Sequence, residues 1–361
     1  MKRVCARWLL LFGYLVLSTA PAKASLKEIS VDATKAHCQH PKFSPDGTLI
    51  AFEVRHVEKR AIDLRIYDVR SGETKIIRAG TTVLDEDSDK RGMVARELSW
   101  APTGNRYLYT SNGSGNVYDI YMSREGRLKW SSRSKNDGQP AWSPDGKRIV
   151  FTSARTGKGD LYWVNVSKMN PRRLTKNPES TEFFAAWDPS NSKRLAYVRH
   201  TDQSDRIYLI DNIFAPSPVR LTSWKSNISE VNPSWSLDGK SIAFFGVRED
   251  GSANLYLSGV GEKPTLLARN IAKSDQSGPA WSPDGKHIFF VQKSSANADV
   301  ITAINIETKA TRTIDTGTQV NNELSVVARG GKWHIAFSSQ GKTSSNDKVY
   351  RKLYIKTIDP L

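Results

Sequence analysis

The chain has 361 residues, 38% of them hydrophobic, and 53 Lys and Arg against 37 Asp and Glu give a formal charge of +16. The basic residues are spread along the whole length without a run or a recognition motif, which argues against nucleic acid and leaves anionic surface contact as the reading of the charge. Two cysteines, Cys5 and Cys38, supply no disulfide framework.

Residues 1–24 read as a secretory signal peptide. Lys2, Arg3 and Arg7 precede the apolar run WLLLFGYLVL (8–17), and Ala22-Lys23-Ala24 stands before Ser25. That run is too short for a membrane span and no comparable one follows. The expectation is a cleaved, exported chain with no membrane span, periplasmic or secreted, in which 25–361 forms a single domain. LKEISVDA (26–33) is strand-like and belongs to no repeat.

From HCQHPKFSPDG (37–47) onward the chain repeats itself. Each copy has an anchor aromatic: Phe43, Trp100, Trp142, Trp187, Trp235 and Trp281. The WSPDG copies read as tight turns, with proline presetting φ and glycine supplying positive φ. Past the turn an apolar pair recurs two residues apart, as in Ile50/Phe52, Tyr107/Tyr109, Ile149/Phe151, Leu195/Tyr197, Ile242/Phe244 and Ile288/Phe290. That spacing puts both on one face of a strand. Third strands follow, such as IYDV (66–69), LYWV (161–164) and IYLI (207–210), and then fourth strands, such as KIIRAG (75–80) and VRLTSW (219–224). Between the first two copies lies the acidic insertion DEDSDKRG (85–92), whose glycine and Arg96 do not fit a calcium loop. A worn copy, VVARGGKWHIAFSS (326–339), keeps Ile335/Phe337 and ends with LYIK (353–356) before any fourth strand. Four short strands per period of this length predict an all-β fold, a seven-bladed β-propeller of four-stranded blades in which 26–33 closes the last blade; six blades is the alternative.

WSPDGK-x-I-x-F, followed by D-L-Y and L-T, resembles the TolB-type, WD-like propeller repeat family, over residues 40 to about 358. The resemblance implies a partner-binding or substrate-filtering platform. The α/β domain that precedes the TolB propeller has no counterpart before Phe43, and the G-x-S-x-G elbow of the prolyl peptidases is missing. Oligogalacturonate lyases also resemble this fold and bind a metal through histidines on the propeller, which draws attention to His37, Cys38 and His40; the expectation is nevertheless a histidine pair facing the channel, without metal or other cofactor.

Functional information is expected where the copies differ. The repeated tryptophans read as packing between blades, and the repeated Asp119, Asp160 and Asp299 as turn or blade-to-blade hydrogen-bond residues. Three residues before each anchor stand His40, Glu97, Gln139, Phe184, Asn232, Gly278 and, in the worn copy, Glu323, at the start of the innermost strands and so around one channel mouth. The preceding loops add Asp137, Glu182, Glu230 and Asp275, making the expected mouth acidic. The predicted binding residues are His40, Glu97, Gln139, Phe184, Asn232 and Asp275, with no catalytic set. The predicted function is a module that binds a protein or peptide of the cell envelope; the alternative is a lyase or hydrolase acting on an acidic glycan.

Overall fold

The structure, a computed structural model, describes residues 25–361 apart from 32–34, 59–60, 81–92, 105, 114, 132–133, 225–226, 273–277, 295–297, 319 and 341–349. The leader, the acidic insertion and Asp275 lie outside the described residues. All regular structure among the described residues is β. Five four-stranded antiparallel sheets follow one another. The first holds Ala36–Phe43, Leu49–His56, Ala61–Asp68 and Thr74–Arg78; the second Ala95–Trp100, Tyr107–Ser111, Asp119–Met122 and Gly126–Arg127. The third holds Asp137–Trp142, Arg148–Ser153, Asp160–Asn165 and Arg172–Arg173; the fourth Thr181–Asp188, Asn191–His200, Asp205–Ile210 and Val219–Arg220. The fifth holds Ser229–Trp235, Ile242–Val247, Ala253–Ser258 and Thr265–Ala268.

The last two copies depart from the expectation of separate sheets. They form one eight-stranded sheet, because Asp299 and Val320 pair in parallel and join the Ala280–Ile314 strands to the Val320–Ile358 strands. The expected partner of the worn copy is present: Leu26–Ile29 runs antiparallel to Lys352–Ile358, Leu26 opposite Lys356 and Ile29 opposite Leu353. The two ends of the chain therefore share a sheet in this propeller-like arrangement.

The turns form as their residues dictate. In the third sheet Gly146 sits at φ 66°, Ser143 Oγ donates to Asp145 Oδ1 at 2.6 Å, and the Arg148 amide donates back to Ser143 Oγ at 3.0 Å. The core lies between sheets rather than at a single centre. Leu108, Ile120 and Met122 of the second sheet pack on Trp142, Ile149 and Phe151 of the third, and Leu161 and Trp163 of the third on Trp187, Leu195 and Tyr197 of the fourth. Each sheet is covered on both faces, so Val150 is as buried as its neighbours Ile149 and Phe151 and the strand shows no alternation.

The repeated tryptophans tie neighbouring sheets. Indole Nε1 donates to the carbonyl of Lys42 from Trp100, of Ala141 from Trp187, of Ala186 from Trp235 and of Ser234 from Trp281, at 3.0–3.1 Å. Trp142 is the exception: its Nε1 is buried without an acceptor.

Candidate functional site

The residues three before each anchor share a backbone conformation that no composition argument supplies. His40, Glu97, Gln139, Phe184, Asn232 and Glu323 all have φ between +36° and +60°, the left-handed region that non-glycine residues rarely occupy. Each sits where the register of the innermost strand shifts against its neighbour, as between Gln39 and Lys42 or Val231 and Ser234, so each is part of a β-bulge. Gly278 fills the same place in the sixth copy, where a Cβ would come 2.9 Å from the Asn232 carbonyl oxygen. Strain repeated in six sheets marks these positions as built rather than incidental.

The bulges are stitched to one another by side chains. The Gln139 amide donates to Glu97 Oε2 at 2.8 Å, the Phe184 amide to Gln139 Oε1 at 3.1 Å, and the His40 amide to Glu323 Oε2 at 2.8 Å. At Glu97 the acceptor is Glu53 Oε1, 3.0 Å away. The sequence of bonds stops at Phe184, whose ring has no acceptor to offer. That ring is half-buried, edge-on to Phe183 at 5.1 Å between centroids.

Glu53 was not among the residues expected here, and it organises the polar part of the wall. It is 2% exposed and accepts from Gln39 Nε2 and the Glu97 amide, with His40 Nδ1 also 3.0 Å away. Burial opposes ionisation of both partners. The hydrogen bond and opposite charge win: Glu53 is held below the ordinary value of 4.5 and His40 above the ordinary value of 6.5, with Glu323 at 3.4 Å adding to the hold on the imidazolium. Lys42 keeps accessible surface, yet the protein around it depresses its ammonium, with Glu53 and Glu97 pulling the other way; that combination suits a side chain lining a recess.

A signal for Glu53 did exist in the repeats. The residue after the apolar pair is Glu53, Thr110, Thr152 and Ser338 in four copies, but Val198, Phe245 and Val291 in the fourth, fifth and sixth. Thr152 Oγ1 donates to Gln139 Oε1 and Ser338 Oγ to Glu323 Oε2, both at 3.1 Å. The wall thus divides into a polar arc and an apolar arc, and Phe184 stands at their junction. The spaces behind it, beside His40 and Glu53 and beside Gly278 and Glu323, are about 10 Å³ each, the size of one water.

The expected acidic rim is corrected by burial. Asp137, Glu182 and Glu230 are 0% exposed, because each is turned inward to join sheets. Ser131 Oγ lies between Asp119 and Asp137, within 3.1 Å of an oxygen of each, Thr175 Oγ1 lies 3.1 Å from Glu182 Oε2 and 3.4 Å from Asp160 Oδ1, and Thr222 Oγ1 donates to Glu230. Arg155, Arg199 and Arg220 complete the pairs. Asp119 and Asp160 are therefore the sheet-to-sheet residues their recurrence suggested. His37 Nδ1 accepts the Arg351 amide at 3.1 Å, and burial pushes the Cys38 thiol up to about 12. Among the described residues no group of three His, Cys, Asp or Glu side chains stands at metal-binding reach. No helix among them is long and apolar enough to cross a membrane.

No family model matches the chain. It is 28% identical over 205 residues to the uncharacterized peptidase YuxL of Bacillus subtilis (strain 168), covering 53% of this chain and 28% of that protein. It is 25% identical over 245 residues to the Tol-Pal system protein TolB of Francisella tularensis subsp. tularensis (strain WY96-3418), covering 65% of this chain and 53% of TolB. The chain thus spans about half the length of that TolB and about a quarter of the peptidase. Among solved structures, TolB from Acinetobacter baumannii superposes with a TM-score of 0.51 at 19% identity, over 78% of this chain and 64% of that one. An oligogalacturonate lyase in complex with manganese superposes with a TM-score of 0.65 at 12% identity, over 94% of both chains. Repeat motif, sequence similarity and fold agree in making the chain similar to TolB-like β-propellers.

Proposed function

We propose that this chain is an exported, seven-bladed propeller whose ring of left-handed residues binds a protein or peptide segment of the cell envelope. The eight-stranded sheet is read as two blades that touch at one residue pair, Asp299 with Val320. The observation that carries the reading is the interruption at Phe184: a half-buried aromatic without a structural hydrogen-bonding task, between a polar arc and an apolar arc. Water-sized spaces behind the wall favour a ligand that lies across the ring over one that sinks into a pocket. Export and periplasmic location rest on the composition of residues 1–24. The likeness to TolB, named for the Tol-Pal system, supports an envelope partner.

The test is affinity capture from envelope extract at low and high salt. Phe184→Ala weakens capture at any salt, by the roughly 2 kcal/mol or more that a buried aromatic anchor contributes. Glu97→Gln weakens it mainly at low salt, as a rim charge tunes association rate. If both folded variants capture like wild type while charge reversal on the outer sheet surface abolishes capture, the ring is not the working face. The second reading, a lyase or hydrolase on an acidic glycan, is supported by the lyase likeness at the level of fold, and depolymerisation of such a glycan by the purified chain would establish it in place of the first.

A further inference from the structure

A cleft of about 520 Å³ opens beside the third and fourth sheets, and none of the left-handed residues lines it. Its volume falls in the range of small-molecule sites, roughly 300–1,000 Å³. Three cations face it, Arg173, Lys176 and Arg199, with Asn177 among them and Pro216 and Pro218 as an apolar wall. The arginines are already fixed in place. Arg173 Nη2 donates to Asp160 Oδ2 at 2.9 Å, and Arg199 donates to Glu182 Oε1 at 3.1 Å and to the Tyr197 hydroxyl at 3.0 Å while its guanidinium lies 4.1 Å from the centre of the Tyr208 ring. Asp160 and Glu182 are themselves buried, so they hold the guanidiniums from behind. Two buried carboxylates balance two arginines. Lys176 is exposed and has no hydrogen bond or ion pair with any described residue, so its charge is in excess.

We propose that this cleft binds a small organic anion whose carboxylate or phosphate group meets Lys176 and the two guanidiniums, and whose carbon skeleton lies on Pro216 and Pro218. Arginine forks suit both oxyanions, and groups immobilised before binding lose little freedom on binding. The site is separate from the ring and does not depend on the function proposed for it.

The experiment is calorimetric titration of the full chain with citrate and with inorganic phosphate at low ionic strength. One of the two binds at a single site, and the tighter one assigns the head group. Lys176→Ala weakens that binding about fivefold, the factor a unit charge at contact distance contributes in water, and Lys176→Glu abolishes it. Both variants melt like wild type, since Lys176 holds nothing in the fold. Phe184→Ala binds the anion normally. The proposal is overturned if neither anion binds, if Lys176→Glu binds as tightly as wild type, or if Phe184→Ala loses the anion while keeping its fold.

Discussion

Removing residues 26–33 tests how the two chain ends are held together, and the structure sets the size of the effect. Of the paired residues Leu26–Ile29, only Ile29 is buried, at 2% exposure, in a cluster with Cys38, Phe43, Ile50, Leu353 and Ile355. Burying that side chain contributes about 2–3 kcal/mol. The hydrogen bonds of so short a ladder add about 1 kcal/mol each, and ordering each residue costs about 1–2 kcal/mol. Gains and costs nearly cancel, so the strand stabilises the fold by about 0–3 kcal/mol. For a chain of this size that is a fall of a few degrees in Tm, because each kcal/mol moves the midpoint by about 2–4 °C or less. Detachment of the strand is always open to the protein, so Ile29→Ala cannot destabilise more than the deletion does. The deletion has a second consequence: it uncovers Lys352–Ile358, whose backbone then presents a free edge. Melting curves and light scattering read both effects. The deletion and Ile29→Ala should lower Tm to a similar, small extent, and the deletion should self-associate. An unchanged melting curve with no association refutes the closure, and a fall for Ile29→Ala far beyond that of the deletion refutes the cancellation.

Two further outcomes follow from the geometry. His40 is raised above 6.5 and Glu53 lowered below 4.5, so the stability from protonated His40 is complete below pH 6.5 and lost as pH rises through its folded value, while that from ionised Glu53 is present above pH 4.5 and lost as pH falls through its folded value. The melting difference between wild type and His40→Ala should therefore be largest between pH 4.5 and 6.5 and shrink toward pH 8; a difference that grows toward pH 8 contradicts the pairing. Trp235→Phe leaves the Ala186 carbonyl without its donor and should cost about 1–3 kcal/mol beyond the lost area, whereas Trp142→Phe removes an indole N–H that has no acceptor and should cost less in chemical denaturation; equal costs would contradict that difference.

What could be read from the sequence was whatever the chain repeats. Trp187, Trp235 and Trp281 hold their neighbours as their recurrence suggested, and Leu26–Ile29 lies beside the strand that lacked a partner. The failures came where a side chain's direction mattered. Asp137, Glu182 and Glu230 stand beside the mouth in sequence, but the Ser or Thr hydroxyl and the Arg that draw them inward come from turns and strands whose proximity only folding creates. Glu53 is legible only through the variation of the residue after the apolar pair, where it is the one carboxylate among Thr110, Thr152, Val198, Phe245, Val291 and Ser338. The left-handed backbone at Phe184 has no signature in residue type, since a bulky aromatic does not favour it, whereas histidine and asparagine, as at His40 and Asn232, are enriched there.

The pairing of Leu26–Ile29 with Lys352–Ile358 also orders events in time. The earlier-made segment finds its partner late, since more than three hundred residues separate the two. Contacts of such sequence separation form slowly. Until they form, Lys352–Ile358 has an unpaired edge, a state that is prone to pair with other chains. The sheet therefore closes only when the earlier-made Leu26–Ile29 comes back to the later-made Lys352–Ile358.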